Sequence, residues 1–211
     1  MRFGRVLALV TVAHVAIGLL AAALGPEGPI PMHWNVHGQP DAMGSRLANS
    51  VLFTVMSAVM GGLLVALEGA DPRLRAHART LQRYREITAG TMGFFVLLHA
   101  LIAFGAPVGR VIGPLMGLLF AGLGWAIRDV APNGVMGFRL PWTLASDDAW
   151  RKAHRATAWV FGVGGGLTTL LGIWRPEAAF AALMCTVLGG TVVIGALSRR
   201  WYHQDSQHKP L

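Results

Sequence analysis

The chain has 211 residues, of which 54% are hydrophobic and 13% charged, with a formal net charge of +8. Soluble domains carry about a quarter charged residues, so this composition excludes an ordinary water-soluble enzyme and points to a membrane protein. The cationic surplus is not a nucleic-acid footprint, because its distribution follows membrane topology, and no direct nucleic-acid partner is expected.

Six stretches contain no Lys, Arg, Asp or Glu: Val6–Leu24, Leu47–Leu67, Ile87–Ala106, Val111–Ile127, Ala156–Trp174 and Ala178–Leu197. Each is 17 to 21 residues long, near the roughly 20 apolar residues needed to cross a bilayer core as a helix. The expectation is an all-α, polytopic protein with six transmembrane helices, divided into a two-helix unit (1–68) and a four-helix region (69–211). The first stretch also has the form of a cleavable signal, with Arg2 and Arg5 before it and Ala21, Ala22 and Ala23 near its end. It is longer than a signal core, which favours retention as a first helix.

The first connection, Gly25–Arg46, carries Pro26, Pro29, Pro31 and Pro40 with Gly25, Gly28, Gly38 and Gly44, which is turn and extended chemistry. Because this 22-residue segment also holds His33, Trp34 and Asn35, it is expected to pack on the outer bundle face. In the second connection Asp71-Pro72 reads as an N-cap followed by Pro at the first helical position. Leu74, Ala78 and Leu81 then set a thin apolar stripe on a basic helix. The third and fifth connections are short, so helices three and four, and five and six, are expected to pair.

The fourth connection, RDVAPNGVMGFRLPWTLASDDAWRKAHR, places a turn at Pro132-Asn133-Gly134, an extended residue before Pro141, and an N-cap at Ser146 with Asp147 and Asp148 in the first helical turn. The loop is expected to fold back over the bundle end. Fifteen Lys and Arg fall at the termini and in the second and fourth connections, against Arg46, Arg110 and Arg175 on the other side. The positive-inside rule puts both termini in the cytoplasm. Trp125, Trp142, Trp150, Trp174 and Trp201 lie near span ends, where indole rings favour the head-group region.

This loop resembles the signature of the SdpI family of bacterial membrane proteins, through Asn133, Gly137, Arg139, Pro141, Trp142, Thr143, Leu144, Trp150, His154 and Arg155. The first loop is similar to a small N-terminal domain that often precedes that region, through Pro31, His33, Trp34, Asn35, Gly38, Pro40 and Asp41. Gly134, Leu140 and Ala153 depart from the family pattern, each losing a ring or a hydroxyl. The resemblance implies a protein related to immunity and signalling proteins in the bacterial inner membrane. It also implies a secreted peptide toxin and a cytoplasmic transcriptional regulator as partners, beside membrane lipids.

His33 and His37, with Glu27 and Asp41 nearby, form a metal set only if the segment is helical; the alternative is histidines hydrogen-bonded within a folded loop. No metal or other cofactor is expected. His14 and His99 stand inside apolar windows, either as interhelical hydrogen-bonding residues or as a proton or substrate path. Gly113/Gly117 and Gly162/Gly166 have the spacing of close helix crossings. No hydrolase, phosphate-loop or CxxC motif is present, and the single Cys185 has no partner for an intramolecular disulfide. The reading is a binding protein and not an enzyme. Its rivals are a small-solute or proton-coupled transporter using His14 and His99, and a metal-dependent enzyme built on His33 and His37.

Overall fold

The computed structural model describes residues 3–208. Arg2 and Lys209, counted above among the cytoplasmic cations, lie outside the described residues. The order is α1 (Phe3–Leu24), β1 (Ile30–Trp34), β2 (Pro40–Gly44), α2 (Arg46–Ala70), α3 (Pro72–Ala76), α4 (Ala78–Ala103), α5 (Val108–Ile127), α6 (Pro141–Leu144), α7 (Asp147–Trp174), α8 (Pro176–Met184), a π-turn (Cys185–Gly189) and α9 (Gly190–His208). Among the described residues six helical segments are long and apolar enough to span a membrane, the last formed by α8, the π-turn and α9 together. The protein is therefore an all-α, multi-pass membrane protein. Leu19, Leu47, Val59, Trp159 and Val192 are exposed on its sides, as bilayer-facing residues must be.

The first connection is a β-hairpin, with Ile30 opposite Gly44 and Trp34 opposite Pro40, and with irregular register between. Gly38 takes a φ of +74° in the turn, where a side chain would be strained. The hairpin lies on the bundle: Ile30 is buried with Phe53, Ile102 and Val108, and Trp34 packs against the same cluster. Asp71 caps α3 as its sequence implies, accepting from the N–H groups of Arg73 and Leu74. His77 then breaks the helix, and α4 runs unbroken from the basic segment into its apolar window.

The helices form two groups. One is α1, α2 and α4; the other is α5, α7, α8 and α9. The expected pairing of helices three and four is thus secondary, because α5 makes its broadest contact with α7. The reason is a glycine seam. A Cβ on Gly172 would lie 2.5 Å from the Pro114 ring, and one on Gly165 would lie 2.5 Å from the Gly117 carbonyl, so only glycine lets these backbones meet. Gly113 and Gly117 belong to the seam, whereas Gly162 and Gly166 face open space and do not form the crossing that their spacing predicts.

Candidate functional site

Three places combine chemistry with shape. The first is the signature loop, at the end of the bundle opposite the hairpin. Asn133 is fully buried and organises the turn: its carboxamide oxygen accepts from Val135 and Met136 (2.9 and 2.8 Å) and its nitrogen donates to the Ala131 carbonyl at 2.9 Å. Thr80 of α4 accepts from the Ala131 N–H at 2.9 Å, and Asp71 accepts from the Gly134 N–H at 2.7 Å. Burial works to raise the Asp71 pKa. The backbone donors of Gly134, Leu74 and Arg73, with the Arg73 charge, outweigh it and hold the carboxyl below its usual range.

Gly137 takes a φ of +102°, and a Cβ there would overlap His154 Nε2. That contact is possible because His154 Nε2 accepts from the Phe138 N–H at 3.1 Å, which leaves Nδ1 as the protonated nitrogen donating to the Trp150 carbonyl at 2.8 Å. Both ring nitrogens are thereby satisfied in the neutral form. Trp150 stacks on His154 with centroids 4.1 Å apart and donates to the Val130 carbonyl at 2.7 Å. It is 1% exposed, so it is a core residue and not the interfacial anchor its sequence position predicts.

Thr143 accepts from the Leu140 N–H at 2.9 Å and donates back to the loop. Trp142 donates to Ser198 of α9 at 2.9 Å, and Ser146, the N-cap of α7, donates to Asp205 of α9 at 2.7 Å. Pro141 opens α6. Arg139 reaches the Gly134 carbonyl and is exposed, as is Arg155. The signature is therefore a clasp that joins α4, α7 and α9. Its motif residues bind mainly backbone groups of the loop itself, leaving Arg155 and the exposed part of Arg139 outward.

The second place is a groove of about 720 Å³ under the hairpin. Its floor is Leu98, Ile112, Met116, Phe180 and Leu183 from α4, α5 and α8, and Trp34, Asn35 and Gly38 stand at its rim with the His33–Asp41 pair. His33 Nδ1 meets Asp41 Oδ1 at 2.5 Å across the strands. His37 sits in the turn, its N–H bonded to Asn35, and Pro31 lies in β1. Among the described residues no three His, Cys, Asp or Glu converge to hold a metal.

The third place lies between α1, α2 and α4. His14 Nδ1 and His99 Nδ1 are 3.1 Å apart, and Phe53 stacks on both rings. Nε2 of each histidine, Asn49 Oδ1 and Ser57 Oγ are buried without partners. Asp71, Thr80, Ser198 and Asp205 were not legible as clasp residues, because no local pattern marks a partner more than 50 positions away. No curated protein and no solved structure matches the chain. Residues 129–198, from the signature loop through α7 to Ser198 of α9, match the model of the SdpI/YfhL protein family.

Proposed function

We propose that the protein sits in a bacterial inner membrane with the hairpin outside and both termini in the cytoplasm, and that it binds an amphipathic ligand in the groove under the hairpin. A secreted peptide toxin or a lipid-like molecule has the required chemistry. The observation that carries this reading is the groove itself: an apolar floor at membrane depth, closed on one side by Trp34 and rimmed by the His33–Asp41 pair. Such concave sites with a few placed polar groups are how small amphipathic ligands are held. On the other face, the outward Arg139 and Arg155 suit an acidic cytoplasmic regulator, whose capture would report the bound ligand. The action is binding, without catalysis.

The test is photocrosslinking from Phe180 on the groove floor. A secreted peptide from the host culture should be captured, and the capture should fall at least about tenfold in Trp34→Ala at unchanged protein abundance. Equal capture by the two proteins, or abundance falling in parallel with it, would end the reading.

A second reading has its own support. The His14–His99 contact, with bare polar atoms on both sides, has the composition of an intramembrane proton site, as a proton-coupled transporter requires.

A further inference from the structure

Arg46, the first residue of α2, stands at the hairpin end of the bundle where a charge has few partners. Its Nη1 donates to the Ala21 carbonyl of α1 at 3.3 Å. Nε and Nη2 are buried and have no hydrogen-bond partner. These two nitrogens share one edge of the guanidinium, the edge whose parallel N–H groups match two oxygens of a carboxylate or phosphate. Leaving that buried edge of a cation unpaired is costly, and the surroundings show what would pair it.

Arg46 is common to two cavities. One is an outer recess of about 420 Å³ bounded by Glu27, Gly28, Pro29, Gly44 and Ser45. The other is a groove of about 390 Å³ running down the seam of α1 and α2, lined by Leu19, Leu47, Val51 and Val55. Gly18 and Ser50 set the depth of that seam, since a Cβ on Gly18 would lie 2.7 Å from Ser50 Oγ. Leu19, Leu47, Val51 and Val55 are all exposed on the bilayer-facing surface. A charged head site above an apolar channel of this kind matches one molecular shape.

We propose that Arg46 holds the phosphate of an anionic phospholipid whose acyl chain lies in the α1/α2 groove. The phosphodiester draws the guanidinium from the Ala21 carbonyl towards the outer recess, where its Nε/Nη2 edge pairs with two phosphate oxygens, and the head group extends into that recess. The chain covers apolar surface that is otherwise left to mobile lipid. This site is separate from the groove under the hairpin and does not depend on what that groove binds.

Native mass spectrometry of the delipidated full-length protein titrated with phosphatidylglycerol tests this. The wild type should retain one tightly held lipid, and Arg46→Gln should weaken it by at least about tenfold. Arg46→Lys should also weaken it, because an ammonium lacks the two-pronged edge. Val51→Trp fills the groove on its bilayer-facing side, away from the core, and should expel the lipid with Arg46 intact. Retention in Arg46→Gln or Val51→Trp at the wild-type level would overturn the proposal. So would full displacement of the lipid by an equal concentration of inorganic phosphate, which would make the site one for a free anion. Equal thermal destabilisation by Arg46→Gln and Glu27→Gln, independent of added lipid, would show that Glu27 closes the edge and would also overturn it.

Discussion

His154 and the His14/His99 pair are equally buried, each with no exposed surface, yet the molecule treats them in opposite ways. In the clasp, both nitrogens of His154 are paired to backbone groups, and Asn133, Thr143 and Trp150 are likewise satisfied. Of the four ring nitrogens of His14 and His99 only the two Nδ1 atoms meet, and both Nε2 atoms, with Asn49 Oδ1 and Ser57 Oγ of α2, have no partner. Buried polar groups are ordinarily paired. A fully paired cluster holds the fold through its hydrogen bonds, whereas in an incompletely paired one the side chains leave part of their polar capacity unused.

The largest effect expected from breaking this contrast is at Gly137. Gly137→Ala forces a side chain into a positive-φ position and against His154 Nε2, and should cost on the order of 3 kcal/mol. The thermal unfolding midpoint of the detergent-solubilised protein measures it. A midpoint within a degree of wild type would mean that the clasp does not hold the bundle end.

The histidine pair should respond in the reverse sense. Replacing both members with apolar residues, His14→Leu with His99→Phe, removes the orphaned nitrogens together with the contact. Stability should then change by less than about 1 kcal/mol or rise. Any proton flux into proteoliposomes should vanish in the same variant. A loss of several kcal/mol would make the pair a structural element like the clasp, and flux at the wild-type rate would remove it from any transport path.

The smallest expected effect sharpens the clasp side. Because the folded-state pKa of Asp71 lies below the ordinary value of 3.8, its ionised form stabilises the fold in full above that value. The contribution fades as the pH falls through the folded pKa. The wild type should therefore unfold at a slightly higher temperature than Asp71→Asn at neutral pH, with the gap closing on acidification below 3.8. A gap that persists there would mean that the charge of Asp71 contributes nothing to the tie with Gly134.

The hairpin shows the limit of reading locally. Its prolines and glycines announce turn and extended backbone, but the meeting of His33 with Asp41 follows from strand register, in which two irregular steps place His33 opposite Ala42 with Asp41 beside it. His33 and His37 at a four-residue spacing would share a face at ligand-sharing distance only on a helix, where they lie one turn apart. On the hairpin His33 faces Asp41 and His37 lies in the turn. The glycine pairs behave alike: Gly113 and Gly162 begin the same motif, and only Gly113 meets a neighbour.

What the sequence determined by itself was whatever rests on composition and short-range chemistry. Apolar length sets six spans because a bilayer leaves backbone polar groups no partner outside a helix. The Asp71 and Ser146 caps, the start of α6 at Pro141 and the extension of α7 from Asp147 follow from side chains acting within a turn or two. The tertiary structure alone decided which helices meet, since glycine seams select by shape and not by hydrophobicity, which is nearly uniform along a membrane helix. It alone made Trp150 a core residue, joined Gly134 to Asp71, and left the Nε2 atoms of His14 and His99 and one edge of Arg46 without partners. Those are relations between distant side chains, set by packing after the spans have formed.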